Sequence, residues 1–436
     1  MSLSAGVPAF VGLDFGTTNS ALALAEVTGN VSVARFASRD QVFDTFRSVL
    51  FFECEEQAGG GAPRIEAGPR AIERYLDSDG NGRLIQSVKS FLASRSFTET
   101  SICGEPYTLE DLIGIIARRM RTAAEEQFAG MGQRLVAGRP VHFASQNPQD
   151  QDGIAEARLR RALARAGYDE VHFVFEPVAA AYDYESRLDH DQLVLIADFG
   201  GGTSDFSVLH VGPSYHHVEP SRRQILAVDG VGIAGDVFDA RIIRHVVSPR
   251  LGLGSSYRSV NQLLEMPSWL YSHLERWHFL SLLKSPKNLR LLEKLRYQAV
   301  QPETIEAFLH VVVSDLGFHL YQAVNRLKAE LSTREKARLR FVSAPVQIDC
   351  AVARADFEHW IAADLERIAA CVDRTVAAAA VQAAQIDRVF MTGGSSFVPA
   401  VRRIFAERFG AERLSFGNEF VSVARGLALC ARDLFA

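Results

Sequence analysis

Short apolar runs typical of buried strands alternate along the chain with segments in which apolar residues recur every three or four positions. Strands are predicted at 31–36, 48–52, 139–145, 171–175 and 388–391, and helices at 108–128, 150–166, 178–186, 354–384, 398–409 and 421–434. This alternation predicts an α/β fold with helices on the faces of its sheets. Residues 239–339 keep helical spacing and predict a helix-rich insertion.

One pattern occurs twice. Residues 11–20 read VGLDFGTTNS, and residues 195–205 read LIADFGGGTSD. In each copy an apolar strand leads to an aspartate (Asp14 or Asp198), then to a turn of glycine and threonine, and then to a second apolar strand. Similarity at a long separation indicates duplicated architecture. Two such hairpins facing each other would clamp a phosphate chain and its metal ion.

The residue types in these turns suit that chemistry. Glycine lets backbone N–H groups approach phosphate oxygens closely, and threonine hydroxyls add donors without adding charge. Mg²⁺ is usually held by few carboxylates and several retained waters, so one aspartate from each hairpin is the expected protein share. Neither copy has the spacing of a P-loop, G-x-x-x-x-G-K-[ST], so that phosphate-binding motif is not expected.

Composition narrows the possible partners. The chain has 436 residues, 47% of them hydrophobic and 23% charged, and a net charge of −5 without a basic block. Nucleic acid and anionic membranes are therefore not expected partners. Residues 1–8 carry no leader pattern and no apolar run reaches bilayer length, so we expect a cytoplasmic location. Five scattered cysteines predict reduced thiols rather than disulfides or a zinc site: Cys54, Cys103, Cys350, Cys371 and Cys430.

Five motifs in a fixed order carry a family resemblance. They are the two hairpins, EPVAAA at 176–181, GGS at 393–395 and VARGLA at 423–428. Together they resemble the nucleotide-binding domain of the 70-kilodalton heat-shock chaperones (DnaK-like), in the actin-like ATPase superfamily, and in particular its truncated YegD-type members. The resemblance covers essentially the whole chain. It implies an α/β fold of two ribonuclease H-like lobes with a nucleotide cleft between them.

The resemblance also implies domain limits. Lobe I would span 1–190 with an inserted subdomain at about 41–107, and lobe II would span 191–416 with an inserted, helix-rich subdomain at about 229–354. A last helix at 417–436 would return to lobe I. We expect no interdomain linker and no peptide-binding domain after residue 436, so the resemblance does not imply the direct clamping of unfolded peptides that full-length chaperones perform.

Residue roles follow from the same resemblance. Asp14 and Asp198 would hold hydrated Mg²⁺. Lys89 would contact the γ-phosphate and the attacking water, Glu176 would orient a metal-bound water, and Asp205 would polarise the attacking water. A second set would bind ATP or ADP: Gly16, Thr17, Thr18, Asn19, Gly200, Gly201, Gly202 and Thr203 at the phosphates, with Thr203 also catalytic; Gly235 and Asp236 in a closing turn; and Lys328, Ser332, Gly393, Gly394, Ser395 and Phe397 at the nucleoside.

Three positions depart from the family pattern around adenine. The relatives usually stack adenine between two arginines, and the matching positions here are Ala329 and Phe397. A glutamate of the pattern is replaced by Asn325. The ring of Phe397 still offers a face on which a base could stack. The resemblance therefore implies the family's contacts to phosphate and a different set of contacts to adenine.

The function implied is an ATP-operated conformational switch with slow hydrolysis, using ATP/ADP and Mg²⁺ and serving an unidentified protein client or co-chaperone. Nucleotide contacts that differ between open and closed states would drive the motion. The sequence leaves three alternatives open: a small-molecule phosphotransferase (kinase) of the same superfamily, an actin-like filament former, and a binder that does not turn nucleotide over.

Overall fold

The computed structural model describes residues 9–39, 41–54, 63–78, 82–128, 130–143, 148–186, 188–215, 225–260, 262–276, 283–314, 316–416 and 421–436. All predicted site residues lie within these ranges, whereas the start at 1–8 lies outside them. The chain divides into two compact units. Unit 1 comprises 1–234, 367–396 and 402–436, and unit 2 comprises 235–366 and 397–401. Both predicted hairpins belong to unit 1.

The strands are named in chain order. They are β1 (Ala9–Asp14), β2 (Asn19–Glu26), β3 (Val31–Val33), β4 (Phe36–Ala37), β5 (Val42–Phe43), β6 (Phe46–Arg47), β7 (Val49–Glu53), β8 (Arg64–Ala67), β9 (Arg83–Gln86), β10 (Glu99–Ile102), β11 (Glu105–Thr108), β12 (Met131–Arg139), β13 (Glu170–Phe175), β14 (Gln192–Phe199), β15 (Ser204–Val211), β16 (Ile225–Val231), β17 (Ser256–Ser259), β18 (Gln262–Glu265), β19 (Lys336–Ser343), β20 (Val346–Ala353), β21 (Arg388–Thr392) and β22 (Leu414–Phe416).

The α-helices are α1 (Pro69–Asp77), α2 (Leu109–Glu125), α3 (Pro148–Arg165), α4 (Glu176–Glu185), α5 (Gly235–Ile242), α6 (Ser268–Glu275), α7 (Pro286–Gln298), α8 (Pro302–Val313), α9 (Gly317–Thr333), α10 (Arg354–Trp360), α11 (Ala362–Ala378), α12 (Pro399–Phe409) and α13 (Ser422–Phe435). A 3₁₀ turn at Val88–Phe91 carries Lys89. Among the described helices, none is both long enough and apolar enough to cross a bilayer.

The first sheet of unit 1 has the order β13-β12-β1-β2-β3. Side chains of β2 alternate between its two faces, as the pleat of a strand requires. Leu22 and Leu24 join the core that includes α2 and α3, while the three alanines 21, 23 and 25 join the core formed with α4 and α13. The larger side chains fill the first core, and the alanines let α13 approach the sheet closely.

Two glycines explain how closely α13 packs. A Cβ added to Gly426 would lie 1.7 Å from Ala179 O in α4, and one added to Gly12 would lie 2.2 Å from Ala428 N. Any side chain at either position would therefore overlap backbone atoms. An ion pair of 2.8 Å between Arg425 Nε and the fully buried Asp183 Oδ1 joins the same two helices. The alanine-rich motifs at 176–181 and 423–428 are thus a packing interface.

The second sheet of unit 1 has the order β16-β15-β14-β21-β22. Every residue of β14 is buried, which agrees with its continuous apolar run. β14 and β15 pair as an antiparallel hairpin in which Asp198 stands opposite Asp205. β1 and β2 form the corresponding hairpin of the first sheet, in which Asp14 stands opposite Ala21. Each sheet therefore contributes one of the two predicted hairpins.

Unit 2 contains helices α5 to α10 and the hairpins β17–β18 and β19–β20. Its interior includes Tyr271, whose hydroxyl donates to Leu251 O over 2.9 Å, and Phe308, whose ring stacks on Tyr271 with centroids 5.0 Å apart. The prediction of a helix-rich insertion describes much of this unit. The hairpins β17–β18 and β19–β20 were not predicted; the first, and the start of β19, lie within the range for which helical spacing was predicted.

Several predicted boundaries are wrong. The strand predicted at 139–145 is wrong for the described residues 140–143, since β12 ends at Arg139 because Pro140 has no N–H to continue the ladder; residues 144 and 145 lie outside the described ranges. The helix predicted at 354–384 is two helices, since α10 ends at Trp360 and α11 ends at Ala378. The strand predicted at 31–36 divides into β3 and β4. By contrast, α2 begins where predicted, with a capping box between Thr108 and Asp111.

The prediction of reduced thiols is wrong for one pair of cysteines. Cys54 and Cys103 form a disulfide with a Cα–Cα distance of 5.4 Å. Cys54 follows β7, and Cys103 lies in the turn between β10 and β11. A separation of 49 residues gave no local spacing signal, so only the folded chain brings them together. Cys350, Cys371 and Cys430 are free thiols.

Candidate functional site

The turn between β1 and β2 is held by two serines. Ser20 Oγ accepts from Gly16 N over 3.2 Å and lies 2.9 Å from Ser48 Oγ, which donates to Gly16 O over 2.8 Å. Ser48 N also donates to Thr18 O over 3.0 Å. Both serines are buried, so these bonds are shielded from water. They hold the loop that carries Thr17 and Thr18 in one shape.

The turn between β14 and β15 is held in a comparable way. Gly200 N donates to Thr203 O over 2.9 Å, and Ser204 Oγ donates to Ile233 O over 2.6 Å. Asp205, 1% exposed, accepts from Val141 N over 3.1 Å at Oδ1. A Cβ at Gly230 would lie 2.4 Å from this same oxygen, so glycine at 230 leaves the space that the carboxylate occupies.

The two turns meet at their tips. A Cβ built on Gly202 would lie 3.8 Å from Thr17 Oγ1, which is ordinary contact distance. Asp14 and Asp198 are also close enough for the charge of Asp14 to raise the pKa of Asp198. The glycine–threonine tips and the paired aspartates therefore converge from two different sheets, as the duplicated sequence pattern predicts.

A buried ion pair lies beside these aspartates. Lys89 Nζ is 2.7 Å from Glu176 Oε1, and the two side chains are only 10% and 9% exposed. Lys89 comes from the 3₁₀ turn after β9, whereas Glu176 is the first residue of α4. Burial alone would lower the pKa of Lys89, but the charges of Glu176 and Asp14 outweigh it and raise that pKa. The ammonium group therefore stays charged.

Carboxylates outnumber cations in this cluster. Burial, together with the charge of Glu176, raises the pKa of Asp14 to about 7 and that of Asp205 to about 7. Burial and the charges of Glu176, Asp14 and Asp205 raise the pKa of Asp198 well above its ordinary value. Such shifts arise when like charges share a poorly solvated space. Lys89 is the cation that lowers the pKa of all three aspartates.

This donor set fits a divalent cation. Oxygen ligands are those that Mg²⁺ prefers, and a positive ion would offset both the burial and the repulsion that raise these pKa values. Within the described part of the chain, no three His, Cys, Asp or Glu side chains form a direct ligand set. The predicted site needs only two protein ligands, since Asp14 and Asp198 would hold an ion that keeps most of its waters.

The remaining predicted residues of unit 1 lie at the end of β21. Gly393 has φ of +84°, and a Cβ there would lie 2.0 Å from Phe199 O, so this turn requires glycine. Phe199 directly follows Asp198, so the turn at 393–395 lies against the end of β14. Gly394 is exposed and Ser395 is 4% exposed. Their predicted contact with the nucleoside stays a prediction.

The predicted residues of unit 2 form a cluster of their own. Lys328 Nζ lies 2.8 Å from Asp239 Oδ1 and donates to Gly235 O over 3.1 Å. Burial and the charge of Asp239 raise the pKa of Asp236 to about 6. Ser332 Oγ donates to Lys328 O over 3.1 Å. Asn325 and Ala329 are exposed on the same helix, α9, and Phe397 is 39% exposed. Their nucleotide contacts stay predictions.

Sequence reasoning missed the residues that support the site. Ser20 and Ser48 fix the first turn, and the Val141 amide binds Asp205. Thr392 Oγ1 lies 3.0 Å from Ser422 Oγ and so joins β21 to α13. The only signal available was that Ser20 and Ser204 follow the two turns directly. Ser48, Val141 and Ser422 come from distant segments, and only the fold brings them into position.

Comparison with known proteins decides the family. A family model described as Hsp70 protein matches residues 78–250 and 316–434. The chain belongs to the Hsp70 family. The predicted resemblance to the DnaK-like Hsp70 nucleotide-binding domain is thereby confirmed, and the mixed α/β structure agrees with the Hsp70 and actin-like ATPase fold.

Two curated Hsp70 relatives align along nearly the whole chain. Chaperone protein DnaK of Thermosipho melanesiensis is 24% identical over 432 residues, which cover 97% of this chain and 59% of that protein. Chaperone protein DnaK of Deinococcus proteolyticus is 25% identical over 447 residues, which cover 97% of this chain and 58% of that protein. The chain thus spans somewhat more than half the length of these relatives.

Proposed function

We propose that this Hsp70-family chain binds ATP with Mg²⁺, hydrolyses it slowly and changes conformation between its nucleotide states. The observation that carries the proposal is the meeting of two Asp-Gly-Thr hairpins beside the buried Lys89–Glu176 pair. A triphosphate needs many donors and a cation, and it needs a fixed positive charge near the bond that breaks. Within unit 1 this cluster brings together the donors of the two turns, carboxylates that could hold the cation, and the fixed charge of Lys89.

The residues proposed for binding fall into two groups, one that binds the phosphates and one that holds the metal ion. Backbone N–H groups and hydroxyls of the two turns would bind the β- and γ-phosphates, because glycine exposes the amides and the serines hold each loop in shape. Asp14 and Asp198 would hold the hydrated Mg²⁺. Bound there, the ion would neutralise phosphate charge. The excess of buried carboxylates supports this assignment, since the site is electrostatically incomplete without a cation.

The proposed turnover roles belong to three charged residues. Lys89 would place its ammonium group against the γ-phosphate, where positive charge stabilises the transferred group. Glu176 would hold Lys89 through their 2.7 Å contact and would also orient water. Asp205 would accept a hydrogen bond from the attacking water, because a pKa of about 7 leaves a substantial ionised fraction at neutral pH.

The nucleoside roles of Lys328, Ser332, Phe397 and the turn at 393–395 are proposed on the family resemblance alone. Lys328 forms an ion pair with Asp239, so it would contact the nucleoside while remaining paired with that carboxylate. Phe397 would supply a ring face in place of an arginine. A protein client or co-chaperone and a cytoplasmic location are proposed on the basis of the family alone.

The test is ATP turnover by the purified chain, measured with Mg²⁺ and with EDTA. The proposal predicts slow hydrolysis that requires Mg²⁺ and that sugars and small carboxylic acids do not accelerate. Strong stimulation by one of these acceptors would instead indicate a phosphotransferase. ATP-dependent light scattering that grows with protein concentration would indicate a filament former. Absence of ATP binding would contradict the proposal in every form.

A further inference from the structure

Arg139 lies beside the candidate site, and none of the predicted roles uses it. It is the last residue of β12 and is followed by Pro140 and Val141. Val141 N donates to Asp205 Oδ1 over 3.1 Å. The two residues after Arg139 therefore carry a direct hydrogen bond to a buried carboxylate of the site.

The guanidinium of Arg139 contacts the backbone of the two residues that follow it. Its Nε donates to Pro140 O over 3.3 Å, and its Nη2 donates to Val141 O over 3.5 Å. Both contacts are long for hydrogen bonds, so each is weak alone. Two donors on one rigid plane nevertheless restrict the direction of both peptide groups. The orientation of the Val141 N–H depends on the same peptide planes.

Other contacts hold the guanidinium in place. Nη1 lies 2.8 Å from Glu156 Oε2, and the guanidinium carbon lies 5.1 Å from the ring centre of Phe175 and 5.6 Å from that of Phe143. Phe175 directly precedes Glu176 and occupies the N-cap position of α4. One side chain, 17% exposed, thus contacts the segment that binds Asp205 and the residue before Glu176.

We propose that Arg139 is a positioning residue for Asp205 and acts through the Val141 amide. Arg139 donates to backbone carbonyls rather than to the carboxylate, so its contribution is to geometry. An effect of Arg139 on catalysis rests on the function proposed above. The effect of Arg139 on the hydrogen bond from Val141 N to Asp205 does not depend on that function. The proposal can therefore be tested without nucleotide.

Arg160 provides a matched control. It lines the same surface cavity of about 530 Å³ as Arg139. It also pairs with Glu156, at 3.3 Å, and its guanidinium carbon lies 4.8 Å from the ring centre of Phe173. It donates to Val171 O and not to Pro140 or Val141. Arg139 and Arg160 thus share this cavity and the partner Glu156, but Arg160 is more exposed, at 48% against 17%, and lacks the contact that the proposal requires.

The probe is the Val141 amide of the full chain without nucleotide. Labelling valine with ¹⁵N and proline with ¹³C at the carbonyl selects valines that follow proline, namely Val141, Val178 and Val346. Asp205→Ala assigns the Val141 signal and defines its position when the carboxylate bond is lost. Val178 and Val346 serve as internal controls for global changes.

We expect Arg139→Met to move the Val141 signal toward its position in Asp205→Ala and to accelerate its hydrogen exchange about tenfold, which corresponds to about 1.4 kcal/mol. Arg139→Lys should do the same, because an ammonium group cannot hold both carbonyls in one plane. Arg160→Met should leave the signal unchanged. If Arg139→Met does not fold, Arg139→Lys carries the test.

Three results would overturn the proposal: an unmoved Val141 signal in both Arg139 variants, an equal displacement in Arg160→Met, or the wild-type signal in Arg139→Lys. The last result would show that a positive charge at position 139 is enough to position the Val141 amide, without the planar guanidinium. A chain that fails to hydrolyse ATP would refute the proposed function and would leave this result intact, so the two failures can be told apart.

Discussion

The burial of Asp14, together with the repulsion from Glu176, has a measurable effect on stability. Asp14 has a pKa of about 7 in the folded chain and an ordinary value of 3.8. A carboxyl group with a raised folded pKa binds its proton more tightly when folded, so folding loses stability as pH rises from the lower value to the higher one. Replacing Asp14 with the uncharged Asn should remove this loss.

The magnitude follows from the interval titrated. Between pH 5.5 and pH 7, one group costs about 1.36 kcal/mol per pH unit, which amounts to about 2 kcal/mol. The difference in free energy of unfolding between Asp14→Asn and wild type should therefore grow by about 2 kcal/mol, in favour of the variant, from pH 5.5 to pH 7. Above pH 7 this difference should stay nearly constant. For a chain of 436 residues, whose entropy of unfolding is about 0.9 kcal/mol per degree, that gain is roughly 2 °C in Tm.

The assay is urea unfolding of nucleotide-free protein in EDTA at pH 5.5, 6.5, 7.5 and 8.5. Asp373→Asn is the control. Its carboxylate has a lowered pKa because of a hydrogen bond from Arg408, so its stabilising contribution is already complete above the ordinary value of 3.8. That variant should differ from wild type by a constant amount. Parallel curves for Asp14→Asn and wild type would refute the electrostatic reasoning.

Three further predictions concern turnover, the disulfide and helix packing. Lys89→Met should keep MgATP binding within a few fold in titration calorimetry yet lower kcat at least 100-fold, because its charge is needed mainly in the transition state; unchanged kcat would remove Lys89 from the mechanism. Cys103→Ser should lower the free energy of unfolding by roughly 2–4 kcal/mol, since the bridge closes a segment of 49 residues. Dithiothreitol should reproduce this loss in wild type and leave the variant unaffected. Gly426→Ala should cost about 2 kcal/mol or more, because its Cβ would overlap Ala179 O, whereas Gly153→Ala, where a Cβ meets open space, should not destabilise. Equal stability of these two alanine variants would contradict the packing argument.

The sequence predicts those features that depend on local pattern. Both hairpins and the start of α2 follow from periodicity and turn chemistry, whereas the return of the last helix to the first lobe is implied by the family resemblance. Strand ends and helix breaks were less predictable, because the end of β12 depends on Pro140 and the division at Ile361 has no glycine or proline to mark it.

The supporting contacts were beyond sequence reasoning for a different reason. The Ser20–Ser48 pair, the bond from Val141 to Asp205 and the Cys54–Cys103 bridge join residues from separate elements. Their partners are chosen by the tertiary fold, and no spacing along the chain distinguishes them from surface serines or free thiols. The motif residues could be named individually, whereas the residues that hold them in position could not.

Isothermal titration of MgATP into wild type and Asp198→Ala tests whether the two hairpins bind one nucleotide–metal complex. The matched control is Asp373→Ala, because Asp373 is an exposed aspartate that pairs with Arg408. We predict binding that requires Mg²⁺, an affinity at least tenfold weaker in Asp198→Ala and an affinity unchanged in Asp373→Ala. Equal heats and affinities in wild type and Asp198→Ala would contradict the assignment of the site.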